Sequence, residues 1–338
     1  MVFWLYVGAT VLLIPSIAIG LGMAALYLYL RWRYVGFLVR IFQEKPLFIV
    51  PRGVPTDHAE PVALRTPDGL TLRGCYLKTP ADRKGVILFG LEFGSDRWAC
   101  RQYCERLVAA GYDVFAYEPR NQGDSDKDPG YEPLQWVTDK DVADMKLALG
   151  YLRSRPDADP KGVGLFGVSK GGSTGFLASA SEPGIRCIVT DGAYATYTTV
   201  VPYMRRWIKI YSDNYRIQKA MPTWFYGLLG VTGMKRVARN RGVTYPSVEK
   251  AAGKFRGPVL MIHGEADTYI RPEMAQALFE RAGGPKELWV VPKAKHNQAI
   301  AVAEDEYHRR VVAFFDRHLA GTATTDDDDS APHAAIAG

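Results

Sequence analysis

The chain has 338 residues, 47% of them hydrophobic and 23% charged, with a formal net charge of +6 and a pI near 9.0. This balance excludes a disordered chain, and the length suits one α/β domain with an insertion. Its four cysteines, Cys75, Cys100, Cys104 and Cys187, form no C-x-x-C pair and no disulfide framework, which fits a reducing, cytosolic compartment.

Residues 2–30 contain no charged side chain. As a helix this run extends roughly 43 Å, more than a hydrocarbon core of about 30 Å. It lacks the basic n-region of a signal peptide, is too long for its apolar core, and ends in "LYLYLRWR", a poor cleavage site. Trp4, Tyr6, Tyr27, Tyr29 and Trp32 stand at its two ends, as interfacial aromatics do. A single transmembrane helix is therefore expected over residues 1–30, with Pro15 as a possible kink. Arg31, Arg33, Arg40 and Lys45 follow it, so the positive-inside rule puts the rest of the chain in the cytoplasm. Residues 31–55 read as a basic, aromatic juxtamembrane linker ending in "VPRGVP".

From residue 56 to about 320 short strands alternate with helices. "PVALRTPDGLTLRGCYLK" reads as a β-hairpin turning at Pro67-Asp68-Gly69. "GVILFG" and "YDVFAYE" are buried strands on either side of the helix "ACRQYCERLVAAG", in which Cys100 and Cys104 lie one turn apart as packing residues. "VTDKDVADMKLALGYLRSR" is a helix with acids in its first turns and arginines in its last, as the helix dipole prefers. "GVGLFG", "IRCIVTD", "GPVLMIHG" and "KELWVVP" complete the strands. This alternation predicts a mostly parallel sheet with helices on both faces. Residues 193–254 break it with an aromatic, basic segment that holds eleven Lys and Arg against Asp213 and Glu249, and a helical cap insertion is expected there. The tail, 321–338, is acidic and small-residue rich and is expected to be disordered.

The stretch "VGLFGVSKGGSTGFLASA" places Ser169 between a strand and a helix, with Gly167 two residues before it and Gly171 two after. A G-x-S-x-G turn in this context holds a serine hydroxyl exposed above the sheet at a helix N-terminus, and larger neighbours would collide with the strand and helix. A serine hydroxyl needs a base, and the base an orienting acid. Among six histidines, His58 precedes the sheet, His308 and His318 belong to the charged terminal helix, and His333 is in the tail. His263 lies within a strand as a structural side chain, which leaves His296, in the loop "VPKAKHNQAI", as the base. Asp267 in "HGEADTYIRP" is the acid that best fits a loop after a strand end, with Glu265 as the nearby alternative. The order Ser169, Asp267, His296 is the nucleophile–acid–base order of one fold.

With "KGVILFGLEFGSDRW", "YDVFAYEPRNQGDSD", "GLFGVSKGG", "VLMIHGEADTYI" and "ELWVVPKAKHN" in sequence, the chain resembles the α/β-hydrolase superfamily in its serine-aminopeptidase-like, esterase-like branch. The resemblance spans about residues 56–318. It implies an eight-stranded, mostly parallel sheet, a cap after the sixth strand lying over Ser169, and an oxyanion hole formed by the backbone N–H groups of Phe93 and Lys170. Relatives usually carry His-Gly where this chain has Leu91-Glu92. A carboxylate there repels a developing oxyanion unless it points away or is itself paired.

A membrane-anchored serine hydrolase acting on an ester, thioester or amide is the function expected, with peptidase and acyltransferase chemistry left open. Leu91-Glu92 motivates the competing class, a membrane scaffold that has kept the fold without turnover. No cofactor or metal is expected, because the chain has no H-E-x-x-H, no metal-spaced Cys/His cluster and no phosphate-binding glycine loop. The basic cap invites a nucleic-acid reading or an anionic soluble substrate. Its "WFYGLLGVTGMKRVARNRG" has the composition of an interfacial helix, so the partner expected is the membrane, with a small-molecule or lipid-like acyl substrate and no nucleic acid. Nothing in the sequence indicates an oligomeric state.

Overall fold

The computed structural model describes residues 2–43, 52–211 and 222–321. Eight strands form one sheet in the order β1-β2-β4-β3-β5-β6-β7-β8. β1 (Ala59–Arg65) and β2 (Thr71–Leu77) make the expected hairpin, and β2 pairs antiparallel with β4 (Tyr112–Tyr117). From β4 onward every pairing is parallel, through β3 (Gly85–Gly90), β5 (Val163–Val168), β6 (Ile185–Asp191), β7 (Val259–Gly264) and β8 (Lys286–Val291). β3, β4, β5 and β7 are buried along their whole length, as continuous apolar strands must be when helices cover both faces.

Two apolar cores result. On one face lie α3 (Asp139–Ser154), α4 (Lys170–Ser179), α7 (Val248–Lys254) and α8 (Pro272–Arg281), which bring Met145, Leu149, Phe176, Ala252 and Leu278 against the sheet. On the other lie α2 (Cys100–Ala109), α9 (Ala299–Val302) and α10 (Glu304–Phe315). α2 buries Cys100, Tyr103, Cys104 and Leu107, the i, i+3, i+4, i+7 spacing of a helix with one apolar stripe. α3 starts at a capping box in which the Thr138 side chain accepts from the Asp141 N–H while Asp141 accepts from the Thr138 N–H.

The chain divides into two compact units, one holding this sheet and the other helical. The helical unit is built from α1 (Val2–Gln43), α5 (Val200–Tyr211) and α6 (Thr223–Arg241). α1 runs unbroken through Pro15 and continues past the end of the apolar run. The expected linker is therefore helical over 31–43, because Val35, Leu38, Val39 and Phe42 recur at helical spacing and are buried in this unit. Residues 44–51, 212–221 and 322–338, which include part of that linker, part of the cap and nearly all of the acidic tail, lie outside the described residues. Residues 13–36 of α1 are long and apolar enough to cross a membrane, and Leu13, Ile14, Ile17, Ile19 and Leu21 are exposed.

Of the region expected as a cap, about 193–254, residues 200–245 fall in the helical unit. Residues 193–199 and 246–254 belong to the sheet-bearing unit because one buried carboxylate ties them together. Glu249 accepts from the backbone N–H groups of Thr196, Tyr197 and Thr198 at 3.1, 2.9 and 3.1 Å. The Thr196 hydroxyl donates to the Pro246 carbonyl and accepts from the Val248 N–H.

Candidate active site

Ser169 joins β5 to α4 with φ 49° and ψ −114°, a conformation rare for any residue other than glycine. Its N–H donates to the Asp191 carbonyl at the end of β6, 2.7 Å away. The flanking glycines are demanded by space. A Cβ on Gly167 would stand 2.4 Å from Gly172 N, and one on Gly171 would stand 2.1 Å from the Gly90 carbonyl oxygen. Bare backbone at both positions lets α4 press onto β3 and β5 with Ser169 at the tip of the turn.

The structure brings Ser169, His296 and Asp267 into one run of contacts. Ser169 Oγ lies 3.0 Å from His296 Nε2, and His296 Nδ1 lies 2.7 Å from Asp267 Oδ2. A carboxylate only accepts, so Nδ1 carries the ring proton and Nε2 offers its lone pair to the Ser169 hydroxyl. Asp267 is buried after β7, and its other oxygen accepts from the Tyr269 and Ile270 N–H groups at 2.8 and 2.9 Å. The Tyr269 ring lies 5.6 Å from the imidazole, and its hydroxyl donates to Gln135. Glu265, the alternative acid, is exposed and accepts instead from the Lys293 N–H. His263 is buried, and its Nε2 donates to the Ile270 carbonyl at 2.7 Å. Burial lowers its pKa from the ordinary histidine value, against the raising influence of the Asp267 carboxylate.

Lys170 opens α4, where first-turn N–H groups have no intrahelical acceptor. Its side chain is buried and committed elsewhere. Nζ donates to the Leu134 carbonyl at 2.9 Å, lies 2.8 Å from Asp141 Oδ1, and sits 5.6 Å from the centre of the Phe93 ring. Phe93 and Lys170, which the family resemblance implies as oxyanion donors, are thus neighbours through this cation–π contact.

Glu92, the departure from the family pattern, is paired. Its Oε2 accepts from Asn297 Nδ2 at 2.7 Å, and its backbone carbonyl accepts from Gln122. Burial pushes its carboxyl upward from the ordinary value, opposed by the Asn297 hydrogen bond. Asn297 follows His296 directly and holds φ 55°, so Glu92 braces the segment after β3 against the loop that carries His296. A further acid, Asp191, is fully buried at the end of β6 and accepts from the Tyr307 hydroxyl at 3.0 Å. Burial pushes its pKa up to about 7. Sequence reasoning did not find Tyr269, Asn297 or Asp191. It flagged Glu92 without its partner, because the two are separated by 205 positions. A cavity of about 300 Å³ among Tyr76, Val86, Arg155 and Gly162 opens at the amino ends of the strands, opposite Ser169. Its Arg155 is occupied by Asp157 and Glu60.

The chain is similar to the uncharacterized protein YfhR of Escherichia coli K12, 24% identical over 263 residues that cover 76% of this chain and 80% of YfhR. A shorter stretch of 133 residues is 31% identical to the thiohydrolase aneE of Aspergillus aculeatus and covers 38% of this chain and 40% of that protein. Among solved structures, the Pyrococcus furiosus esterase Pf2001 superposes with a TM-score of 0.60 at 24% identity, covering 81% of this chain and 97% of its own, a likeness of fold. Residues 88–314, which run from β3 into α10, match the profile of the Alpha/beta hydrolase family. That match covers well over half of the sequence, and the chain belongs to the α/β-hydrolase family.

Proposed function

We propose that the chain is a serine hydrolase, held at a membrane by α1, that cleaves an ester, thioester or amide through an acyl-enzyme on Ser169. The observation that carries this reading is the unbroken hydrogen-bonded run from Ser169 Oγ through His296 to Asp267. Ser169 Oγ attacks the substrate carbonyl carbon as its proton passes to His296 Nε2, and Asp267 steadies the imidazolium through Nδ1–H. The carbonyl oxygen takes up the negative charge and is received by the N–H groups of Phe93 and Lys170. The tetrahedral species collapses, the leaving group departs with the proton from Nε2, and an acyl ester remains on Ser169. Water then attacks that ester, gives a proton to His296, and releases the acid as Ser169 recovers its proton. The stretch shared with a thiohydrolase supports thioesters alongside esters as substrates.

The exposed apolar length of α1 supports the anchor, and the arginines that follow it support a cytoplasmic hydrolase unit. The full chain in detergent should hydrolyse p-nitrophenyl acetate, and His296→Ala should lower that rate by at least about 10⁴. A folded wild type inert toward both esters and thioesters would favour the scaffold reading instead. Protease added to intact cells should spare the hydrolase unit. Its digestion there would reverse the orientation.

A further inference from the structure

The helical unit carries a surface that ester cleavage does not use. Trp224, Leu228, Lys235 and Arg239 of α6 share one face at i, i+4, i+11 and i+15, and all four are exposed, Trp224 to 60% and Leu228 to 42%. The apolar pair occupies the first turns and the basic pair begins about 16 Å further along the axis. The opposite face, with Phe225, Leu229, Gly230 and Gly233, is buried.

That buried face grips α1. The Tyr27 hydroxyl lies 2.8 Å from Thr232 Oγ1, and the Tyr27 ring meets Phe225 edge-on at 6.2 Å. Further along, Leu38 and Phe42 close over Gly233, where a Cβ would lie 3.6 and 3.3 Å from them. Crossing a bilayer takes about 20 helical residues, and α1 has 42. The residues before Tyr27 suffice for the crossing, so Tyr27, Tyr29 and Trp32 fall at the level of the headgroups. α6 is attached to α1 from that level onward.

We propose that the Trp224–Leu228 face of α6 inserts into the headgroup–acyl boundary of an anionic bilayer, with Lys235, Arg236 and Arg239 set against lipid phosphates. The proposal rests on the reading of α1 as an anchor. Three features favour a bilayer as the occupant. α6 is held against α1 at Tyr27, next to Tyr29 and Trp32, which are 53% and 79% exposed. Its apolar residues lie at the end beside Tyr27 and its basic residues farther along the axis, so a helix meeting the bilayer by that end sets its cations at the level of the lipid phosphates. A second copy related by two-fold symmetry would bring the same basic stripe against itself.

The four native cysteines are buried, so a cysteine placed on the surface can be labelled selectively. Full-length protein carrying Leu228→Cys, and separately Leu21→Cys, is labelled with the fluorophore NBD and reconstituted into phosphatidylglycerol-containing vesicles with or without nitroxide-bearing lipid. Both probes are expected to shift to the blue and to be quenched, the Leu228 probe more strongly by shallow than by deep nitroxides. Replacing Lys235, Arg236 and Arg239 with glutamine should reduce quenching at Leu228 and leave Leu21 unchanged. A quenched Leu21 probe with a Leu228 probe that stays in water overturns the proposal and spares the anchor. A blue-shifted but unquenched Leu228 probe overturns it in favour of a protein partner, a second copy included. If neither probe is quenched, the anchor reading itself falls, and this proposal with it.

Discussion

Two glycines face an obstacle at nearly the same distance in the two units, and the obstacles differ in kind. A Cβ on Gly171, beside Ser169, would lie 2.1 Å from the Gly90 carbonyl oxygen, whereas one on Gly230, in α6, would lie 2.2 Å from Val200 Cγ1. The first obstacle is the backbone of a strand paired on both sides, in the middle of the sheet. The second is one methyl of a side chain on a neighbouring helix. The sheet-bearing unit is organised around fixed backbone and directed hydrogen bonds, and the helical unit around side chains that can give way. Polar or minimal changes should therefore be severe in the first and mild in the second.

The largest contrast lies in turnover. Ser169→Ala should reduce hydrolysis of a soluble ester by about 10⁵–10⁶, and Asp267→Asn by about 10⁴. Trp224→Ala in the helical unit should leave the same assay within about threefold, below 1 kcal/mol. Unchanged circular dichroism would separate chemistry from unfolding in all three.

Buried charge in the sheet-bearing unit makes stability depend on pH. Asp191 has a folded pKa of about 7, above the unfolded value of about 3.9. Below about pH 4 both states are protonated. As pH rises from there the unfolded chain ionises first, so stability falls until about pH 7 and then levels. Between pH 5 and pH 8 the wild type should lose about 3 kcal/mol relative to Asp191→Asn, read from urea denaturation at the two values. Parallel curves for the two proteins would refute this account of Asp191.

At the neck of the insertion, Glu249→Ala removes the acceptor of three backbone N–H groups. Hydrogen bonds to a charged group contribute about 1.5–3 kcal/mol each. The variant should lose about 3 kcal/mol or more and become sensitive to limited proteolysis near residues 196 and 248. The smallest effects return to the two glycines. Gly171→Ala should cost about 1–3 kcal/mol or more through overpacking. Gly230→Ala should stay within about 1 kcal/mol, because the gain in helix propensity offsets the displaced methyl. Equal losses at the two positions would remove the distinction between the units.

The sequence was most readable where a function depends on neighbours along the chain. Ser169 is marked by glycines two residues away on each side. Asp267 and His296 each follow a strand end, where a loop residue can turn toward the site. The extension of α1 was also present in the text, in the spacing of Val35, Leu38, Val39 and Phe42. Arg31 and Arg33 before those residues and Arg40 among them gave the segment the appearance of a linker. Contacts between distant segments left no such trace. Glu92 meets Asn297, and Asp191 meets Tyr307, across 205 and 116 positions, and pattern along the chain has no purchase on pairings of that kind. Glu249 counted only as one of two acids in a basic segment, although it closes the insertion through three N–H groups.

The central claim is that Ser169 is an activated nucleophile. Its most direct test is reaction of the folded full-length chain with a fluorophosphonate probe, followed by mass-spectrometric mapping of the modified peptide. The account predicts one adduct on Ser169, absent from Ser169→Ala and strongly slowed in His296→Ala. A folded wild type that fails to react, or a Ser169→Ala chain that reacts equally, would contradict it.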